Sequence, residues 1–245
     1  MPSRPLIGIS MDTGDPQVRP ETYELADTYT QRIVEAGGIP LLLPHVAEDA
    51  IRQQLMEVLD GLLIPGGDDL NPALYGQQPH AKTRLMDQRR QAFDLAMLAL
   101  AERHNLPTLG ICLGFQLMNV QRHGSLVQYL PDVAGPMRVN HAADPDKLLR
   151  YEARHAVQIA TGTRLAGIFG PEPLLVNSTH RQGVDQLGHG LVASACAADG
   201  LVEAIEDSTL GFWMGVQWHP ERMPRDPQIK LFQALVGAGV QRRKP

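Results

Sequence analysis

The first half of the chain alternates short apolar runs with stretches of helical periodicity, and no other feature limits its possible folds so sharply. Leu6-Ile7-Gly8-Ile9 reads as a buried strand. Glu21 to Ala36 reads as a helix ended by Gly37-Gly38, and Ile39 to Leu43 as a second strand stopped by Pro44. Ala47 to Leu59 is helical, Gly61 to Ile64 strand-like, Leu85 to His104 a long amphipathic helix, and Pro107 to Ile111 another short strand. Strands that are apolar on both faces must be covered on both faces. The pattern therefore predicts an α/β fold, a doubly wound, mostly parallel sheet with helices on either side.

The second half reads differently. His155 to Ile159, Leu174 to Val176, Leu191 to Ala195, Leu201 to Ile205 and Phe212 to Val216 look like strands with fewer helices between them. Val133 to Glu152 is polar and irregular and reads as a surface insertion. A closing helix is expected from about Asp226 to Val236. No repeat, low-complexity tract or linker divides the chain. With 245 residues, 43% of them hydrophobic, a single domain over 1–245 with an ordinary core is expected.

A net charge of −5 argues against binding a phosphate backbone, which needs clustered Lys and Arg. The dense basic run, Arg242-Arg243-Lys244, reads as a solvated tail. The N-terminus lacks the pattern of a signal peptide, and no apolar run approaches the roughly 18 residues of a membrane span. Neither nucleic acid nor membrane is expected as a partner. Cys112 and Cys196 are too few for a disulfide framework and too far apart for a cysteine zinc site. Two thiols fit a reducing compartment, so a cytoplasmic location is expected.

Pro107-Thr108-Leu109-Gly110-Ile111-Cys112-Leu113-Gly114-Phe115-Gln116 joins a strand to a helical pattern through Gly-x-Cys-x-Gly. This is the sulfur version of a nucleophile elbow. A sharp strand-to-helix turn strains the central residue, and the flanking glycines give room where a Cβ would clash. The thiol then sits at the positive end of a helix, which favours a thiolate. The Leu113 N–H points to where an oxyanion would form. A buried structural cysteine is the competing reading for Cys112, and packing is the reading for Cys196.

Phe212 to Trp218 is an apolar strand that runs into His219-Pro220-Glu221. A catalytic histidine needs a partner that fixes its tautomer. Glu221 stands two residues on, and Pro220 restricts the turn between them. A strand end with incidental polar residues is the alternative.

Gly-x-Cys-x-Gly-x-Gln followed further along by His-Pro-Glu resembles the class I glutamine amidotransferase superfamily. Three other stretches resemble its γ-glutamyl-γ-aminobutyrate hydrolase branch, the C26 peptidases. They are Pro65-Gly66-Gly67-Asp68-Asp69-Leu70-Asn71-Pro72-Ala73-Leu74-Tyr75-Gly76, then Val176-Asn177-Ser178-Thr179-His180-Arg181-Gln182, then Asp199-Gly200-Leu201-Val202-Glu203-Ala204-Ile205. The likeness runs from Pro5 to about Glu221. It implies a triad of Cys112, His219 and Glu221, an oxyanion hole from the Gly67 and Leu113 N–H groups, and substrate contacts from Gln116, Asn177, Ser178, His180 and Gln182. Taken alone, Gly66-Gly67 is adequately explained as a tight turn, and Asn177 and Ser178 as turn caps.

The implied activity is hydrolysis of a γ-glutamyl amine, such as γ-glutamyl-γ-aminobutyrate, to glutamate and free amine through a cysteinyl thioester. It needs no metal and no organic cofactor. The expected partner is a small γ-glutamyl substrate, and self-association into a homo-oligomer stays open. Two rivals stand beside this reading: a glutaminase subunit that delivers ammonia to a separate synthase, and a catalytically silent binding relative. The chain departs from the branch at Leu113, where arginine is frequent, at Gln91, where aspartate is common, and at His123, where the branch has glycine. These differences bear on the leaving amine and leave the triad untouched.

Overall fold

The computed structural model of the protein describes residues 4–14, 22–133, 139–141 and 153–243. Nine strands form one mixed sheet. In chain order they are β1 Leu6–Ser10, β2 Ile39–Leu43, β3 Gly61–Ile64, β4 Thr108–Ile111, β5 Arg154–Ile159, β6 Leu174–Asn177, β7 Val192–Ala197, β8 Val202–Glu206 and β9 Trp213–Val216. Across the sheet the order is β2-β1-β3-β4-β9-β8-β7-β5-β6. The five strands from β2 to β9 run parallel. The remaining pairings, out to β6, are antiparallel.

The two halves are buried differently, as their sequences require. Strands β3, β4 and β9 are buried at every position. Strand β5 alternates exposed and buried residues, the mark of a strand with one wet face. Helices α1 Asp27–Glu35, α5 Arg164–Phe169 and α6 Arg225–Arg242 close a core on one face of the sheet, with Ile33, Leu165 and Phe232 contributing. Helices α2 Asp49–Val58, α3 Gln88–Arg103 and α4 Leu113–Gln121 close a second core on the other, with Met56, Phe93 and Phe115. Each such side chain contributes about 1.5–3 kcal/mol relative to exposure, so the doubly covered strands are the stable centre of the molecule.

Several local expectations are corrected by tertiary contacts. Helix α1 begins at Asp27 because Tyr23–Glu24 instead pair with Asp12–Thr13 in a short antiparallel ladder. Strand β2 lies at the sheet edge, and its Ile39 and Leu42 are exposed rather than buried. Helix α3 buries Arg90 and Asp94 along with its apolar residues, so it is not a simple amphipathic helix. Helix α6 continues past Gly237 and Gly239 to Arg242. A Cβ at Gly239 would come within 3.1 Å of the Asp60 carbonyl oxygen, so this glycine marks a close approach and not a helix end. Arg242 donates to the His104 carbonyl at 2.7 Å, and Arg243 pairs with Asp60. These two are docked, not a solvated tail, and Lys244 lies outside the described residues. Most of the expected insertion from Val133 to Glu152 lies outside them too.

No helix among the described residues is long and apolar enough to cross a membrane. The loops after β3, β4 and β9, three adjacent strands, meet at one edge of the sheet. That is where open parallel sheets place ligands.

Candidate active site

Cys112 follows the last residue of β4 and occupies the N-cap position of α4, with φ 53° and ψ −100°. An L-residue held there costs on the order of 1–3 kcal/mol and persists only where its surroundings enforce it. They do so through glycine. A Cβ at Gly114 would stand 2.2 Å from the Ile64 carbonyl oxygen, and one at Gly110 would stand 2.6 Å from Gly114 C. Only with both glycines can α4 press against β3 and β4 tightly enough to form the turn. The Cys112 N–H donates to the Val216 carbonyl at 2.8 Å, which ties the elbow to β9. As the first residue of α4, Leu113 has an N–H with no partner inside the helix. The Leu113 side chain is buried in the core.

The Gly66-Gly67 loop lies opposite. A Cβ at Gly66 would come within 2.7 Å of His219 Cε1, and one at Gly67 within 2.3 Å of Arg90 Nη1. The Gly66 N–H donates to the Tyr29 hydroxyl at 3.1 Å. Arg90 holds the loop from below, donating through Nη2 to the carbonyls of Pro65 and Gly66 at 3.1 and 2.9 Å. Its other nitrogens reach Asp94 at 3.2 Å and Asp12 at 2.9 Å. Arg90 and Asp94 are fully buried, and burial pushes the Asp94 carboxyl up to about 6 despite Arg90 beside it. Replacing Arg90 with Met leaves Asp94 buried without its counterion, a cost of about 3–5 kcal/mol. We expect R90M to lower the urea midpoint accordingly, and R90K to keep part of the stability while losing the bidentate hold on the loop. Wild-type midpoints in both variants would remove Arg90 from this role.

His219 stands between thiol and carboxylate. Its Nδ1 lies 2.7 Å from Glu221 Oε1, and its ring lines the same cavity as the Cys112 thiol. Burial disfavours charge on the imidazole, yet the charges of Glu221 and Cys112 outweigh it and push the pKa up to about 9. Glu221 is also desolvated, and the His219 charge nonetheless holds its carboxyl below the usual range. Arg222 Nε lies 3.2 Å from Glu221 Oε1. The arrangement sets a thiol beside an imidazole held toward its charged form, with a carboxylate fixing the ring.

Asn177 clamps the His219 backbone from both sides. Its Oδ1 accepts from the His219 N–H at 2.9 Å and its Nδ2 donates to the His219 carbonyl at 3.1 Å. Gln217 Nε2 donates to Cys112 Sγ at 3.5 Å, and Gln217 Oε1 accepts from Gln116 Nε2 at 3.1 Å. Ser178 Oγ donates to the His141 carbonyl, His180 Nδ1 faces the Gln182 carbonyl, and Gln182 Nε2 donates to the Gln128 carbonyl. All five side chains expected to contact substrate are buried, and none lines the cavity beside Cys112. Thr179 does. The 177–182 segment therefore backs the cavity wall, and its one cavity contact, Thr179, is one of the two positions the motif leaves variable.

That cavity holds about 720 Å³, within the range of small-molecule sites. Cys112, His219, Gly66 and Gly67 line it together with the charged residues Asp12, Glu24, Asp68 and Arg222. Sequence reading missed Tyr29, Arg90 and Gln217. Tyr29 comes from a helix without a motif. Arg90 and Gln217 lie inside stretches already singled out, yet nothing in their spacing shows what they touch. Cys196 lies on β7, partly exposed, away from this site.

Residues 5–221 match the peptidase C26 family. The chain is 33% identical to a glutamine amidotransferase-like protein of Rickettsia prowazekii, over 97% of this chain and 99% of that one. It is 35% identical to a γ-glutamyl-γ-aminobutyrate hydrolase of Escherichia coli K12, over 82% of this chain and 79% of that one. The glutaminase domain of Trypanosoma brucei CTPS with bound acivicin superposes with a TM-score of 0.62 over 96% of this chain and 94% of that one. At 17% identity it shares the fold alone.

Proposed function

The chain belongs to the peptidase C26 branch of the class I glutamine amidotransferase superfamily, and from that premise we propose that it is a cysteine-dependent γ-glutamyl amide hydrolase. The observation that carries the proposal is the strained Cys112 at the head of α4, paired with a charged His219 that Glu221 orients.

In the proposed reaction the Cys112 thiolate attacks the γ-carbonyl of the substrate. The Gly67 and Leu113 N–H groups stabilise the oxyanion. The His219 imidazolium gives its proton to the departing amine as the thioester forms. Neutral His219 then takes a proton from water, the resulting hydroxide attacks the thioester, and glutamate leaves as the thiolate is restored. Gln116 and Gln182 act one layer back. Gln116 steadies Gln217 against the sulfur, and Asn177 keeps His219 in register.

The charge of the cavity lining bears on the leaving amine. Asp12, Glu24 and Asp68 line it together with Arg222, and Arg222 is paired with Glu221. This acidic lining favours an amine that carries a second positive charge over one that ends in a carboxylate. Contact with the leaving amine also offers transition-state binding that ammonia cannot provide.

We therefore expect the isolated protein to give higher kcat/KM on γ-glutamyl derivatives of diamines than on γ-glutamyl-γ-aminobutyrate, and higher on either than on glutamine. The preference for diamines should shrink as salt rises. Glutamine as best substrate, or turnover only after a synthase is added, would favour the ammonia-donor reading.

A further inference from the structure

We propose that His141, His155, His180 and Glu203 form a binding site for one divalent transition-metal ion of the zinc class, separate from the Cys112 cavity. All four residues are buried, and one ligand atom from each lies within 4.8 Å of all the others. His141 Nδ1, His155 Nε2 and His180 Nε2 converge on Glu203 Oε1 at 3.2, 3.6 and 3.5 Å. Zinc bonds to nitrogen and oxygen of about 2.0–2.1 Å place neighbouring ligands of a tetrahedron roughly 3.3 Å apart. The three distances to Glu203 are close to that edge. The wider separations in the set close as the imidazoles draw inward on the ion.

The hydrogen-bonding pattern suits a cation at this centre. These three nitrogens and both Glu203 oxygens are buried with no hydrogen-bond partner. The opposite nitrogens are occupied. His141 Nε2 lies 2.8 Å from Asp199 Oδ2, His180 Nδ1 lies 2.8 Å from the Gln182 carbonyl, and His155 Nδ1 lies 3.4 Å from the Ala156 carbonyl. Carboxylates and carbonyls only accept, so in each neutral ring the hydrogen sits on the outer nitrogen. Each inner nitrogen then turns a lone pair toward a carboxylate, and four acceptors face one another. A dication satisfies the three inner nitrogens and Glu203 Oε1 at once. The outer contacts are those that orient metal-bound histidines.

Four protein donors with no thiolate form a closed set, which suits a structural ion rather than a catalytic one. The ion would join the 139–141 segment, β5, the 177–182 segment and β8. Two of these meet already, since Ser178 Oγ and the His180 N–H both donate to the His141 carbonyl. Thr179, between them, lines the cavity, and Asn177, just before, clamps His219. The ion would therefore hold the wall of the active site without touching the chemistry.

The test uses the full chain, stripped with a chelator, dialysed, and titrated with Zn²⁺ or Co²⁺. One equivalent of metal should bind by elemental analysis. Co²⁺ should give the intense visible bands of a tetrahedral site, and loading should raise Tm. H155Q should lose the bound equivalent, and D199N, one layer out, should weaken affinity by about 10–100-fold. C112A and C196A should bind as wild type does, which excludes the thiols as the ligands. Because loading and spectra are read without turnover, failure of the proposed hydrolase activity would leave this result standing. No uptake by the stripped protein, unchanged uptake in H155Q, or loss of uptake in C112A would overturn the site.

Discussion

C112A should lose turnover on any γ-glutamyl amine by a factor on the order of a million, as nucleophile removal does in comparable triads, while circular dichroism and the unfolding midpoint stay near wild type. The loss follows from chemistry, since Cys112 supplies the thiol that lines the cavity and the other free cysteine, Cys196, does not. Retention of the fold follows from packing, because Cys112 is a small side chain and the elbow is enforced by Gly110, Gly114 and the hydrogen bond to Val216. A second variant separates strain from chemistry. C112G and C112A both lack the thiol, but only glycine is relaxed at φ 53°. C112G should therefore be more stable than C112A by about 1 kcal/mol, even though glycine ordinarily loses to alanine through unfolded-state entropy. If C112A proves the more stable of the two, the elbow holds no strain. If C112A keeps turnover, Cys112 is not the nucleophile. Iodoacetamide should also label Cys112 faster than Cys196 in the wild type.

H219A should cost several orders of magnitude in kcat/KM, and E221Q less, up to roughly ten-thousandfold. The pH profile tells the two roles apart. His219 has its pKa raised to about 9, so the imidazolium paired with Glu221 is present at neutral pH and is lost as pH rises through that value. Its contribution to stability has the same sign: fully present below the ordinary histidine pKa and gone above about 9. Wild-type kcat/KM should fall on an alkaline limb near pH 9. Among the influences that raise the pKa, the Glu221 charge is the largest, so E221Q should move that limb to lower pH. A limb that stays in place in E221Q would show that Glu221 acts on the ring through geometry alone.

The parallel half of the sheet was legible because doubly covered strands leave an unmistakable mark. Strands β3 and β4 are short, mostly apolar, buried at each position and bounded by helical periods, which suits a doubly covered sheet. The elbow at Cys112 was legible for a similar reason. Gly110, Cys112 and Gly114 lie within five residues, and the steric demand that links them is local. His219 and Glu221 were close enough along the chain for one proline to relate them.

What the sequence left open depends on contacts between distant segments. Nothing near Asp27 shows that the preceding residues will pair with Asp12–Thr13 and delay the helix. Nothing near Arg90 shows that α3 will pack under the Gly66-Gly67 loop and give it four oxygen partners. The 177–182 segment suggested substrate contact because its residues are polar and sit on a loop. In the fold their hydrogen bonds are spent on His219, His141 and Gln128, and only Thr179 meets the cavity. His141, His155, His180 and Glu203 carry no metal-ligand spacing, and only the antiparallel half of the sheet brings them to one point. Sequence by itself determined the layered α/β fold and the elbow, since both follow from sterics and burial over a few residues. The tertiary structure decided which polar groups face substrate and which face one another, because buried hydrogen bonds and charges are satisfied by whatever the fold places beside them, at any distance along the chain.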